Sequence, residues 1–211
     1  MATVVAIPTA IFWLAGDRLR LEEHRGWFQP KKLPHFDAEV TQSITIRLAD
    51  SLPKHVLESL VEDMKSVKFD VDTEKLRRLE SLLDSGYGSC ILGEAQCAKI
   101  VQDALLFLNQ KRFDLRSWVV MPNHLHFLAR FQPNQTIEKG LHSLKSYTSN
   151  ELKKLHPEMG PIWQEGYFDR YIRSEEHYWN AVKYIQRNPV VAGLCAEPSD
   201  FRWSSAFEER A

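Results

Sequence analysis

Hydrophobic and polar positions repeat with two different periods along the chain, and the switches between them lay out its elements. Val40 to Leu48 (VTQSITIRL) alternates and is rich in β-branched residues, as a strand buried on one face should be. Val56, Leu57, Leu60, Val61 and Met64 then recur at helical spacing. Ser51 is placed to cap that helix and Pro53 to sit in its first turn. A second helix is expected over Asp72–Leu83, stopped by Asp84-Ser85-Gly86. Ala98, Ile100, Val101, Ala104, Leu105 and Leu108 make Ala95–Leu108 amphipathic and helical. Phe113–Val120 and His124–Phe131 return to the strand period around Met121-Pro122-Asn123, which predicts a hairpin. Ile137, Leu141, Leu144, Leu152 and Leu155 predict a long helix over Thr136–Leu155. Ile162–Ile172 is partly alternating and aromatic, a short strand or an extended loop. Ser174, followed by Glu175 and Glu176, opens a last helix expected to end at Asn188-Pro189.

The order strand, helices, strand, strand, helix, strand, helix fits an α+β fold with helices packed on an antiparallel sheet. The ferredoxin-like split β-α-β arrangement is its natural form, with one helix near the C-terminus. Residues 1–36 show no clean period and end in Gln29-Pro30-Lys31-Lys32-Leu33-Pro34, so they are expected to form an irregular N-terminal extension. A single domain over residues 37–211 follows. Val4–Ala15 is apolar but lacks a basic start and is too short to span a bilayer, which argues against a membrane partner.

With 27 basic and 28 acidic residues, no global field drives the chain onto nucleic acid. Any such contact needs a local patch. Lys139, Lys145, Lys153 and Lys154 make the helix after the hairpin locally basic. Residues 50–84 are locally acidic, which suggests a basic face and an opposite, solvated acidic one. Cys90, Cys97 and Cys195 form no C-x-x-C pair and are odd in number. That usage suits free thiols in a reducing cytoplasm better than disulfides or a zinc knuckle.

The chemistry concentrates in Met121-Pro122-Asn123-His124-Leu125-His126. At the strand period His124 and His126 share one face, about 7 Å apart along the strand, while Leu125 and Phe127 point to the other. Two such imidazoles can grip a divalent ion, or simply pack. In the last helix Tyr184 and Asn188 are four apart and share a face, with Val182 and Ile185 on another stripe. A carboxamide is a neutral hard ligand and a phenol a nucleophile. Equally, Asn before Pro is an ordinary helix-end residue, and a tyrosine is often only packing.

Taken together, M-P-N-H-x-H with Tyr184-Ile185 and Asn188-Pro189-Val190-Val191-Ala192-Gly193-Leu194 resembles the REP-associated tyrosine transposases. These are relatives of the insertion-sequence single-tyrosine transposases within the His-hydrophobe-His (HUH) endonucleases. The resemblance runs from Val40 to about Phe207 and includes Trp163-Gln164, Tyr167-Phe168-Asp169-Arg170 and Trp203-Ser204-Ser205. It implies that His124, His126 and Asn188 bind Mg²⁺ or Mn²⁺ and that Tyr184 attacks a phosphodiester of single-stranded or hairpin DNA. The insertion-sequence relatives carry glutamine as the third ligand, one methylene longer than Asn188. A cytoplasmic protein is implied, with a monomer preferred to a dimer. Arg170, Arg173, Lys183 and Arg187 bracket the catalytic helix as phosphate contacts, with Lys145 a further one. Trp163 is expected to be structural, and Tyr167 to be a stacking or a core residue. Two rival functions use the same residues: a hairpin-binding protein without cleavage, and a metal-dependent hydrolase that activates water.

Overall fold

The hairpin forms where the alternation predicts it. In the computed structural model, which describes residues 40–64 and 71–209, strand β2 (Phe113–Met121) turns through Pro122 and Asn123 into β3 (His124–Phe131). The expectation for residues 1–36 lies outside the described residues. β1 (Thr41–Arg47) pairs antiparallel with β3, and β4 (Phe168–Tyr171) pairs antiparallel with β1. The sheet order is β2-β3-β1-β4, the order of a split β-α-β fold. The ambiguous segment before the last helix is therefore an edge strand. At the other edge, the C-terminal segment closes over β2: Val120 N–H donates to the Trp203 carbonyl and Ser205 N–H to that of Trp118.

Between β1 and β2 run α1 (Lys54–Met64), α2 (Val71–Asp84) and α3 (Ala95–Leu108). α4 (Ile137–Leu155) lies between β3 and β4, and α5 (Glu175–Val191) follows β4. Period-two alternation divides the sheet's two faces. Ile44, Ile46, Leu125, Phe127, Ala129 and Phe131 pack with α3 and α4 in the main core. Val119, Met121 and Leu128 point to the opposite face, where Ile172 and Ile185 cover them. His124 and His126 share parity with Leu128, so they lie beneath α5. No described helix is long and apolar enough to cross a membrane.

Two boundaries differ from the sequence reading. Ser51 does not cap α1, which starts after Pro53; its hydroxyl instead donates to the Leu48 carbonyl at 2.7 Å and closes the end of β1. The last helix runs past Asn188-Pro189 to Val191. Proline's fixed φ is helical and it removes only one N–H, so a helix already held by packing can carry it for a last half-turn. Ser174 caps α5 as expected, accepting from His177 N–H at 3.1 Å.

Candidate active site

The cross-strand register places both histidines in the sheet's interior. His124 sits between Arg47 and Met121, and His126 between Thr45 and Val119. Both are fully buried. Each imidazole is held through Nδ1: His126 meets Thr45 Oγ1 at 2.7 Å and His124 meets Asn123 Oδ1 at 2.7 Å. Asn123 settles the tautomer of His124. Its Nδ2 donates to the carbonyls of Leu83 and Tyr87 at 3.1 and 3.0 Å, so Oδ1 must be the atom facing the ring. An oxygen can only accept, so His124 Nδ1 carries the proton and Nε2 a free lone pair. Burial holds His126 down to about 3, and burial, with the neighbouring His126, holds His124 well below its ordinary range. Both rings are neutral at pH 7, the form that binds metal.

α5 brings in the other pair. Ile185, fully buried, anchors it against Val119, Met121 and Leu128. One residue earlier, Tyr184 leans its ring on His126 with centroids 5.5 Å apart, and one turn later Asn188 is buried beneath the helix. The two histidine rings are 4.5 Å apart, edge to face. The structure thus brings His124, His126, Tyr184 and Asn188 together.

It also brings in two groups absent from the sequence reading. Glu80 and Asp84, one turn apart on α2, face the site. The Glu80 carboxylate and the Asn188 amide both lie near enough to the Tyr184 phenol to act on its proton. Asp84 Oδ1 lies 3.8 Å from His124 Nε2. The acidic stretch expected on a solvated face opposite the site is, at this end, a wall of the site. Asn123 is the reason, since its two bonds to Leu83 and Tyr87 pin the end of α2 over the hairpin turn. Burial raises Glu80 to about 7, opposed by the Tyr184 hydroxyl, and raises Asp84 to about 6. Burial first, then the charges of Glu80 and Asp84, hold the Tyr184 phenol far above its usual range. A cavity of about 370 Å³ opens beside these groups, lined by Glu80, Ser81, Asp84, Ser85, Tyr184 and Val191.

Five buried atoms here meet no hydrogen-bond partner among the described residues: His124 Nε2, His126 Nε2, both amide atoms of Asn188, and Asp84 Oδ1. Each such group costs about 1–3 kcal/mol if left unmade. The lone-pair nitrogen of His124, the Nε2 of His126, a carboxamide oxygen and a carboxylate oxygen in one place form a donor set that a divalent cation can satisfy. The mixed nitrogen and oxygen set, with a carboxylate, suits Mn²⁺ or Mg²⁺.

The proposed DNA contacts divide. Arg170 lies exposed on β4, near enough to act on the charge of Glu80, and Lys183 and Arg187 lie exposed one turn apart on α5. Arg173 stacks over the Tyr171 ring at 4.8 Å. Lys145 is engaged internally: its ammonium donates to the carbonyls of Gln164 and Gly166. Tyr167 packs on the main core and donates its hydroxyl to Glu138 at 2.9 Å. Trp163 is buried and donates Nε1–H to Thr148 Oγ1 at 2.8 Å, the structural role expected of it.

Comparison with known proteins bears on the same elements. A family model described as "Transposase IS200 like" matches residues 94–188, the stretch from the start of α3 through the hairpin to Asn188. A REP-associated tyrosine transposase of Escherichia coli (strain K12) is 27% identical over 116 residues, 54% of this chain and 67% of that relative. An uncharacterized protein of Haemophilus influenzae is also 27% identical, over 41% of this chain and 58% of its own length. A solved REP-associated tyrosine transposase bound to a REP hairpin superposes with a TM-score of 0.56. It covers 84% of this chain and 82% of that one at 17% identity, so the fold is shared. α1 and α2, with Glu80 and Asp84, precede the matched family stretch.

Proposed function

We propose that this IS200-like transposase relative nicks and rejoins single-stranded DNA at a hairpin, through a covalent bond to Tyr184. One observation carries the reading: buried, partnerless Nε2 atoms of two histidines converge with Asn188 and a half-exposed tyrosine. The relatives' names supply the substrate class. His124, His126 and Asn188, with Asp84 beside them, would hold Mg²⁺ or Mn²⁺, which when bound supplies Lewis-acid stabilisation of phosphate charge.

The chain's own residues do the rest. The phenol is held protonated, so its proton must leave as the oxygen attacks. Glu80 lies near enough to that hydroxyl to take the proton, and its raised value near 7 suits a general base at neutral pH. As Tyr184 Oη bonds to phosphorus, the P–O3′ bond breaks. The phenolic proton passes to Glu80, and the leaving oxygen takes one from water to become a 3′-OH. The phosphotyrosine keeps the energy of the broken bond, so a 3′-OH from another strand can reverse the step. Arg170, Lys183 and Arg187, exposed around Tyr184, are the phosphate contacts this scheme uses. α5 packs Ile185 onto β2 and β3 of its own chain, the arrangement that a site built in cis requires.

The test uses an end-labelled single strand carrying an imperfect hairpin, with Mn²⁺ present. Wild type should form an adduct stable in denaturing gels. Tyr184→Phe should form none while binding the hairpin with unchanged affinity. Cleavage persisting in Tyr184→Phe would favour a water-activating hydrolase. Binding without any adduct in wild type would favour a hairpin-binding protein.

A further inference from the structure

On the face of the sheet opposite the histidine pair, three ligand-type side chains meet where α3 begins and α4 ends. Glu94 is the N-cap residue of α3, yet its carboxylate makes no capping bond. Cys97, fully buried, lies in the first turn of α3, and burial together with the charge of Glu94 raises its thiol to about 11, so it is protonated until a cation displaces the proton. His156 is the C-cap residue of α4. His156 Nε2 is 3.5 Å from Cys97 Sγ and 3.3 Å from Glu94 Oε2, and Sγ is 4.0 Å from Oε2. Glu158 Oε1 lies 3.3 Å from His156 Nδ1.

A neutral imidazole does not satisfy this cluster by hydrogen bonds. With Nδ1–H donating to Glu158, Nε2 presents only a lone pair, which can accept the Cys97 thiol proton but faces the Glu94 carboxylate lone pair to lone pair. With Nε2–H donating to Glu94, Nδ1 faces Glu158 with a lone pair, and the thiol can turn only to Glu94. An imidazolium would donate to both carboxylates; a cation among the three atoms answers the same excess of acceptors, and Glu158 then orients the ring through Nδ1, the usual arrangement of a carboxylate behind a metal-bound histidine.

The spacing fits a tetrahedral zinc ion. Zinc bonds of about 2.3 Å to sulfur and about 2.0–2.1 Å to nitrogen and oxygen, at a tetrahedral angle, separate S from N by about 3.5 Å and N from O by about 3.4 Å. The observed separations are 3.5 and 3.3 Å. Sulfur and oxygen should be about 3.5 Å apart. Their 4.0 Å needs only a small turn of the largely exposed Glu94 side chain.

We propose that Glu94, Cys97 and His156 form a zinc-class site distinct from the His124–His126 centre, tying the start of α3 to the end of α4. The Cys97 thiol gives up its proton to solvent as the metal binds, and water takes the fourth position. All three cysteines are free in this structure, as their number suggested, and the proposal adds a metal-bound state for Cys97. It does not depend on the catalytic proposal.

Titration of the full-length protein with Co²⁺ tests it. Wild type and His126→Ala should both show a near-ultraviolet thiolate-to-cobalt band, saturating at one ion per chain, which added Zn²⁺ abolishes. Cys97→Ser should lose the band, and its melting temperature should no longer respond to Zn²⁺. His156→Gln, a change at a partly exposed position, should weaken Co²⁺ at least tenfold and stands in if the buried serine disturbs folding. No band in wild type, a band unchanged in Cys97→Ser, or unaltered affinity in His156→Gln would each overturn the site.

Discussion

At the scale of single residues, Asn123 illustrates how a turn residue becomes part of the chemistry. The sequence identified it as punctuation before His124, which it is. Its other roles depend on α2, forty residues away in sequence, whose arrival no local pattern announces. One amide fixes the tautomer of His124, satisfies the carbonyls of Leu83 and Tyr87, and thereby sets Asp84 beside the imidazole. Asn123→Ala leaves two carbonyls and one ring N–H without partners. The expected loss is about 2–4 kcal/mol of stability, together with about 10–100-fold in Mn²⁺ affinity. Asn123→Asp separates the two effects. Its carboxylate still accepts from His124 but donates nothing to α2, so denaturant unfolding should show most of the stability loss while calorimetry shows most of the metal affinity kept. Equal metal affinities in the two variants would mean that Asn123 does not orient the ring.

At the scale of elements, what the sequence showed and what it hid have separate physical causes. Alternation over His124–Phe131 fixed which face the imidazoles take, and the four-residue spacing of Tyr184 and Asn188 fixed their common face, because both follow from backbone periodicity alone. Glu80 and Asp84 have the same spacing, but on a polar surface helix that pattern ordinarily means solvation. Only its docking against the hairpin gives it a function. The Cys97–His156 pair, 59 residues apart, was likewise invisible because the packing of α3 against α4 creates it. That packing has a point that can be probed. A Cβ added at Gly140 on α4 would sit 2.7 Å from Phe131 Cε1, and Phe131 is held edge-on against Phe113 with centroids 5.5 Å apart. Alanine gains about 1 kcal/mol in helix propensity over glycine, whereas overpacking a filled core costs about 1–3 kcal/mol. Gly140→Ala should therefore lower stability by up to about 2 kcal/mol in denaturant unfolding, with the proposed adduct formation intact at low temperature. A gain in stability would mean the Phe131 ring yields freely.

At the scale of the whole molecule, a net charge of −1 conceals how the charges are deployed. The lysines of α4 do not make one uniform basic face. Lys154 pairs with Glu151 at 2.6 Å, and Lys145 is turned inward onto the carbonyls of Gln164 and Gly166. The cations left around Tyr184 come from β4 and α5, set against the acidic wall of α2. Such a charge layout offers little long-range attraction for DNA, so the proposed reaction would rest on contacts made at short range. The inward lysine has a consequence for the fold as a whole. Burial, and then the charge of Arg47, lower Lys145 to about 8 against 10.5 for a free lysine. Between those values the unfolded chain binds more protons at this position than the folded one, so the contribution to stability rises with pH across that window and is constant below it. Urea midpoints measured from pH 7 to 10.5 should therefore show wild type gaining on Lys145→Met above pH 8, with a constant difference below it. A parallel pair of curves across the range would place the ammonium in water rather than against the Gln164–Gly166 turn.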